Sequence, residues 1–291
     1  MVLIIGESIN IMSQTIGPAL RSRDPGPVQE MAKAETAADY LDINIGPARK
    51  AGDEMMEWAV TTVQEVSDKP LSLDTTNPVA MEAGLKAYKG KALINSISLQ
   101  PDRLDAGLPL VTKYNADMIG LLWGVEGMPR DANERAMLTV DLIYKANEMG
   151  IANENIWIDP ILTPVSVEIN QVKSCFEFMS MLQDIAPDCK STVGLSNISN
   201  GTPTNLRPYL NRTCLVMLMK HGLYSAIADA FDAELVSIAR GEMPEIVSLV
   251  HRMMDGDKPD FAKLSPKELE YAKSVRVLTG ENLYSHSWLE I

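Results

Sequence analysis

Short apolar runs alternate along the chain with longer stretches whose apolar residues recur at helical spacing. Eight runs read as strands, at residues 2–5, 40–46, 71–78, 92–98, 117–123, 156–162, 191–197 and 226–230. Helical patterns lie between them, near 28–38, 54–66, 101–114, 132–149, 168–182 and 208–221, with one more opening at Pro78, where proline suits a first turn. The strand-like runs show little polar alternation, as expected of strands buried on both faces. Eight such units predict parallel βαβ connections and an α/β fold of the (β/α)8 TIM barrel type over residues 1–241. A doubly wound open sheet fits the same alternation, but no GxGxxG follows the first run.

Residues 242–291 read as a C-terminal helical extension packed on the barrel or on a partner. One helical pattern covers 245–254, DGDKPD links it onward, and Ser265-Pro266-Lys267-Glu268 opens a second with a capping-box arrangement. The closing GENLYSHSWLEI carries apolar and aromatic groups that need a surface to cover them.

Composition narrows the function. The chain has 291 residues, 46% of them apolar, and no run of about 18 apolar residues that would span a membrane. The opening MVLIIGESIN lacks a basic segment and carries Glu7, unlike a secretory signal. A net charge of −13 argues against nucleic acid and against an anionic membrane surface. Cys175, Cys189 and Cys214 form no CxxC pair and read as structural thiols in a reducing cytoplasm. The three histidines show no HxH or HExxH spacing, so no metal site is expected.

Active sites of such barrels lie at the C-terminal ends of the strands. Those ends present Glu7 and Asn10, Asp42 and Asn44, Asp74, Asn95, Asp159, Asn197 and Asp229, while Trp123 occupies the fifth. Any one of them is explicable as a helix cap, but a full rim is not. The rim offers no lysine for a Schiff base and no Ser-His-Asp or Cys-His set. Carboxylates and amides instead suit the edge of a nitrogen heterocycle. A pterin presents a ring N–H beside an exocyclic amino group, which one carboxylate matches with two parallel hydrogen bonds, while asparagine donates and accepts at once. VGLSNISNGTP, residues 193–203, poses the question most sharply, because turn chemistry alone explains its Asn, Ser and Gly content.

GESIN, LDINIGP, LSLDTTNP, ALINSIS, WIDP and GLSNISNG, in this order and spacing, resemble the pterin-binding barrel methyltransferases. The likeness is greatest to the methyltetrahydrofolate:corrinoid protein methyltransferases; the folate domain of methionine synthase and, more distantly, dihydropteroate synthase share the barrel. It spans residues 2–240. The resemblance implies methyl transfer between N5-methyltetrahydrofolate and the cobalt of a separate corrinoid protein, which would dock transiently at the barrel mouth. Asp74, Asn95 and Asp159 would hold the pterin's polar edge, Gly194 and Ser196 would line one wall, and Asn197 would reach N5 as the catalytic residue. Arg207 would meet the anionic benzoyl-glutamate tail, or else is a surface arginine at a helix start. Glu7, Asn10, Asp42, Asn44, Asn200 and Asp229 are further candidates. A dihydropteroate synthase-like pterin enzyme and a non-catalytic folate-binding protein are the alternatives.

Three departures from the family pattern stand out. Ser8 occupies the place of an arginine in the usual GERxN, the loop at 198–206 is longer than in the acetogens' enzyme, and the tail from Asp255 is extra. The tail places the chain nearer members serving O-demethylase systems. The resemblance also implies a homodimer, for which the apolar helix segment 215–219 either supplies the surface or packs on the barrel.

Overall fold

The computed structural model describes residues 1–290; Ile291, the last residue of the expected extension, lies outside them. Eight parallel strands form the sheet: β1 (Leu3–Asn10), β2 (Tyr40–Asn44), β3 (Leu71–Asp74), β4 (Leu93–Ser98), β5 (Asp117–Leu121), β6 (Ile156–Asp159), β7 (Lys190–Ser191) and β8 (Ser225–Ala228). Their spatial order is β7-β6-β5-β4-β3-β2-β1-β8, so every neighbouring pair from β1 to β7 is joined by a crossover. The seam between β8 and β7 is held by a few polar contacts. Ile227 N–H donates to Val193 O (2.9 Å), Tyr224 N–H to Ser191 Oγ (3.1 Å), and Gly194 bridges Ile227. The architecture is a (β/α)8 TIM barrel, as the alternation of elements predicts.

Among the described residues, eleven α-helices cover it: α1 (Ile16–Ser22), α2 (Pro25–Ala34), α3 (Gly52–Gln64), α4 (Pro78–Ala87), α5 (Pro101–Tyr114), α6 (Ala132–Glu148), α7 (Ile169–Ile185), α8 (Arg207–Met219), α9 (Ala233–Arg240), α10 (Pro244–Met254) and α11 (Pro266–Leu278). Their starts follow local chemistry. Asn77 caps α4 ahead of Pro78, Asp131 caps α6, and Ser265 and Glu268 form the reciprocal capping box of α11. Helices α10 and α11 pack on α8. The α8 segment 215–219 is therefore no exposed association surface: Leu215, Val216, Met217 and Leu218 are buried, because one side of α8 faces the barrel and the other faces this pair.

The barrel interior is layered by the two-residue period of its strands. Ile5, Leu93, Ile119 and Trp157 form an apolar plug low in the barrel, joined by the half-buried Tyr40, Tyr224 and Ile227. Trp157 meets Tyr40 and Tyr224 edge-on, at ring separations of 5.5 and 5.1 Å, and its indole N–H donates to Asp117 Oδ2 (3.2 Å). Two residues further along the same strands come Glu7, Asp42, Asn95, Asp159 and Asp229. Side chains two apart share a strand face, so a polar layer sits directly on the apolar plug, facing the mouth.

Two elements depart from the expected pattern. Strand β1 runs on to Asn10 with a register slip against β2 between Gly6 and Ile9. At the slip, Ser8 N–H donates to Glu35 Oε1 (3.3 Å), and a Cβ on Gly6 would stand only 2.5 Å from that oxygen, so a larger residue there would push the Glu35 carboxylate aside. Strand β7 ends after Ser191, and Leu195–Ser199 form a 3-10 turn. Asn197 is thus on a turn that caps the seam, where the sequence pattern predicts a strand end.

Candidate active site

The polar layer begins with Asp42, which is buried on β2. Its Oδ1 accepts from Ser72 Oγ (2.6 Å) and Asn95 Nδ2 (3.0 Å). Asn95 thereby commits its amide nitrogen to the protein and keeps its carbonyl oxygen for the cavity. Asn44, one layer higher, plays the same part for Asp74. Its Nδ2 donates to Asp74 Oδ2, and its own Oδ1 accepts from Gly46 N–H (3.0 Å). Register explains both pairings, because Asp42 lies opposite Ser72 and Asn44 opposite Asp74.

Asp159 ends β6, buried, with Oδ1 accepting from Ile161 N–H (2.8 Å). That bond steadies Ile161 at φ +67°, a left-handed conformation that β-branched residues avoid at a cost of about 1–3 kcal/mol. The loop beyond is held from behind by Arg135, wholly buried, which donates to Pro160 O (2.8 Å), Ser174 Oγ (2.7 Å) and Gln171 Oε1 (2.9 Å).

The opposite wall is the 3-10 turn. Ser196 Oγ donates to Glu7 Oε1 (2.7 Å), and Asn197 is exposed to the mouth with its Oδ1 accepting from Asn200 Nδ2 (3.3 Å). Gly194 makes room, since a Cβ there would lie 2.9 Å from Asn197 Nδ2. Arg207 is tied to the turn by Nε to Ser199 Oγ (3.0 Å) and Nη2 to Ser196 O (3.1 Å) and Asn200 Oδ1 (3.3 Å). Its guanidinium stitches the turn together and keeps Nη1 for other partners.

Packing this many acids into one mouth shifts their proton affinity. Burial, reinforced by Asp229 and Asp42, raises the Glu7 carboxyl to about 7 against the lowering by Ser196 and Arg207. Burial raises Asp42 and Asp159 each to about 6. Asp74 is held well above the ordinary carboxylate range by burial and by Asp42, with Arg103 opposing. Arg103, on α5, donates to Thr76 O (2.5 Å) and Ser96 O (2.7 Å), and so stands as the cation beside Asp74.

The expected residues therefore fall into two groups. Glu7, Asp42, Asn44, Asp74, Asn95, Asp159, Ser196, Asn197, Asn200 and Arg207 are linked by hydrogen bonds or stand in the same polar layer. Asp229 stands in that layer too and, as Asp159 does with Ile161, accepts from the N–H two residues on, Phe231 (2.9 Å), whereas Asn10 spends its side-chain oxygen on a turn, accepting from Met12 N–H (2.9 Å). The motifs do not single out Arg103, Arg135, Ser72 or Glu35. Arg135 left one trace, a charge on the buried stripe Ala132, Arg135, Thr139, Leu142 and Ala146 of α6. Among the described residues, no group of three or more His, Cys, Asp and Glu side chains is arranged to hold a metal ion.

Residues 28–229 match the pterin binding enzyme family. The chain belongs to that family. Within this pterin binding enzyme fold, the chain is 27% identical over 238 residues to the methylcorrinoid:tetrahydrofolate methyltransferase of Eubacterium limosum, covering 80% of this chain and 87% of that protein. It is 27% identical over 242 residues to the methionine synthase of Mycobacterium tuberculosis, covering 79% of this chain but only 20% of that much longer protein. Among solved structures, a dihydropteroate synthase from Coxiella burnetii in complex with pteroic acid matches with a TM-score of 0.62 at 17% identity, over 85% of this chain and 93% of that one. The Xanthomonas albilineans dihydropteroate synthase with 4-aminobenzoic acid gives 0.61 at 18% identity, over 84% and 92%. These structural likenesses concern the pterin binding barrel as a fold.

Proposed function

We propose that this pterin binding enzyme transfers a methyl group between N5 of tetrahydrofolate and the cobalt of a corrinoid carried by a separate protein. The observation that carries the reading is the exposed Asn197 amide on its 3-10 turn, set across the mouth from the acid and amide layer and next to the Glu7–Ser196 pair. The names and 27% identity of the relatives support the same chemistry.

In this reading Asp74, Asn95 and Asp159 hold the pterin's donor-rich edge. The raised proton affinities of Asp74 and Asp159 record a cost of burying carboxylates that Arg103 and Arg135 offset only in part, and a ring N–H with its amino group would offset more of it. The folate's nitrogen is a poor leaving group when neutral, so the protein must favour positive charge or a proton at N5. Asn197 Oδ1 accepts from a protonated N5, and its amide can turn with the ligand. Glu7, balanced near neutrality and bonded to Ser196, is the nearby group able to hold a proton for that site. Arg207 Nη1 faces the folate's anionic tail. The corrinoid, when its protein docks, supplies the cobalt that exchanges the methyl group.

Fixing the folate with its methyl outward lowers the barrier by removing orientational freedom, and hydrogen bonds aimed at charge developing in the transition state add about 2–4 kcal/mol. Mixing the protein anaerobically with methyltetrahydrofolate and a reduced corrinoid protein, and following the cobalt absorbance, tests the proposal. Asn197→Ala should lower turnover by ~10² or more while folate affinity falls less; wild-type turnover in that variant would remove Asn197 from its role. Dihydropteroate synthesis requires pyrophosphate handling, and residues 193–207 carry a single cation, Arg207. Condensation of para-aminobenzoate with a pterin pyrophosphate would favour that reaction instead.

A further inference from the structure

The C-terminal tail reaches back to the mouth. After α11 the chain turns at Gly280 and Asn282, whose N–H donates to Arg276 O (2.9 Å). Trp288 is only 2% exposed, and its indole N–H donates to Ser274 Oγ (3.2 Å), which anchors the tail on α11. Lys273 Nζ holds Leu289 O at 2.5 Å. Between these anchors stands Tyr284, its ring packed edge-on to His286 and tilted on Trp288, with both centroids 5.8 Å away. Its hydroxyl lies 2.8 Å from Thr202 Oγ1.

Thr202 is buried in the loop that joins the Asn197 turn to α8. Its N–H donates to Ser199 O (3.0 Å), and the Ser199 hydroxyl accepts from Arg207 Nε (3.0 Å). Arg207 in turn holds Ser196 O and Asn200 Oδ1, and Asn200 Nδ2 holds Asn197 Oδ1. An unbroken chain of contacts thus runs from Tyr284 to the Asn197 amide. From the other side the loop is held by Val165 N–H on Ile198 O (3.0 Å) and Ser166 Oγ on Asn200 O (3.1 Å). A cavity of about 310 Å³ lies between this second brace and the tail, with Ser166, Glu168, Asn282 and Tyr284 among its walls.

We propose that Tyr284 is a positioning residue and the tail a strap: by holding Thr202 it fixes residues 196–207, and with them the direction of the Asn197 amide. The catalytic consequence rests on the methyl-transfer reading; the mechanical one does not. A strap of this kind gives the loop at 198–206 a support from the C-terminal extension beside the one from Val165 and Ser166.

The test uses Tyr284→Phe, which removes one oxygen and keeps the ring packing, alongside Thr202→Val and the double variant, all in the full chain. Hydrogen exchange is read across residues 196–207, and turnover with methyltetrahydrofolate and a reduced corrinoid protein is measured in parallel. Each single variant should exchange faster in that segment and lose turnover by about 3- to 10-fold, the span of one lost hydrogen bond. The double variant should lose no more than either single one, since both remove the same contact. The unfolding midpoint should fall by no more than about 4 °C, which separates loosening of the loop from general destabilisation. Unchanged exchange in 196–207 for Tyr284→Phe, or fully additive losses in the double variant, overturns the strap. If the wild-type protein transfers no methyl group but Tyr284→Phe still loosens the segment, the strap stands and the methyl-transfer reading falls.

Discussion

At Glu7, burial in the mouth ties the protonation of a single side chain to the stability of the fold. Its folded proton affinity, near 7, lies above the ordinary carboxylate value of about 4.3. The folded protein therefore binds a proton more tightly than the unfolded chain does over that interval. Its stability contribution is fully present below the unfolded value and is lost as pH rises from about 4 towards 7. The wild-type unfolding midpoint should accordingly fall between pH 5 and pH 8, and Glu7→Gln should flatten part of that fall, matching wild type at pH 5 and exceeding it at pH 8. Thermal unfolding across that range checks this, and parallel curves for the two proteins would contradict it. The sequence made Glu7, Asp42 and Asn95 visible as polar residues ending apolar runs. It hid the way Asp42 organises Ser72 and Asn95, because those partners lie 30 and 53 positions away and meet only through strand register. Arg103 was hidden for the same reason: its position follows from two backbone carbonyls at the ends of other strands.

The 3-10 turn at Leu195–Ser199 is the clearest case of an element that the apolar pattern misdescribes. The run at 191–197 looks like a strand because Val193 and Leu195 are buried, and burial alone sets the pattern. After Thr192 donates to Ile158 O (2.9 Å) the chain leaves β6 and crosses to β8 at Gly194. A longer strand there would carry Asn197 out along the rim; the turn folds it back over the seam. Gly194→Ala should therefore keep the fold but displace the Asn197 amide, whose nitrogen would stand 2.9 Å from the new Cβ. Turnover should fall by ~10-fold or more with little change in the unfolding midpoint, and unchanged turnover would show that the reaction tolerates a displaced amide. The extra first helix, α1, follows a turn at Asn10 and Ser13 and is too short for its periodicity to stand out.

At the scale of the whole molecule, the barrel was legible because eight β–α alternations leave few alternative topologies. The way its seam is held was not, since it depends on a handful of bonds between the shortest strand and its continuation on one side and β8 on the other. The interior also divides its labour by layer. The apolar plug centred on Trp157 stabilises the fold, and the polar layer above it is the proposed folate site. Trp157→Ala should cost about 3–5 kcal/mol of stability, measurable by denaturant unfolding, and a loss below ~1 kcal/mol would mean that the plug is not a principal part of the core. Above it, Asp42 with Asn95 and Asn44 with Asp74 hold one another in place, and Ile161 N–H holds Asp159, before any ligand arrives. Calorimetric titration of methyltetrahydrofolate into the wild-type protein and into Asp74→Ala, Asn95→Ala and Asp159→Ala tests this most directly. Saturable binding to the wild-type chain, weakened by about tenfold or more in each variant, is the predicted result. No binding to the wild-type protein, or variants that bind as tightly as it does, would contradict the claim that this layer holds a reduced folate.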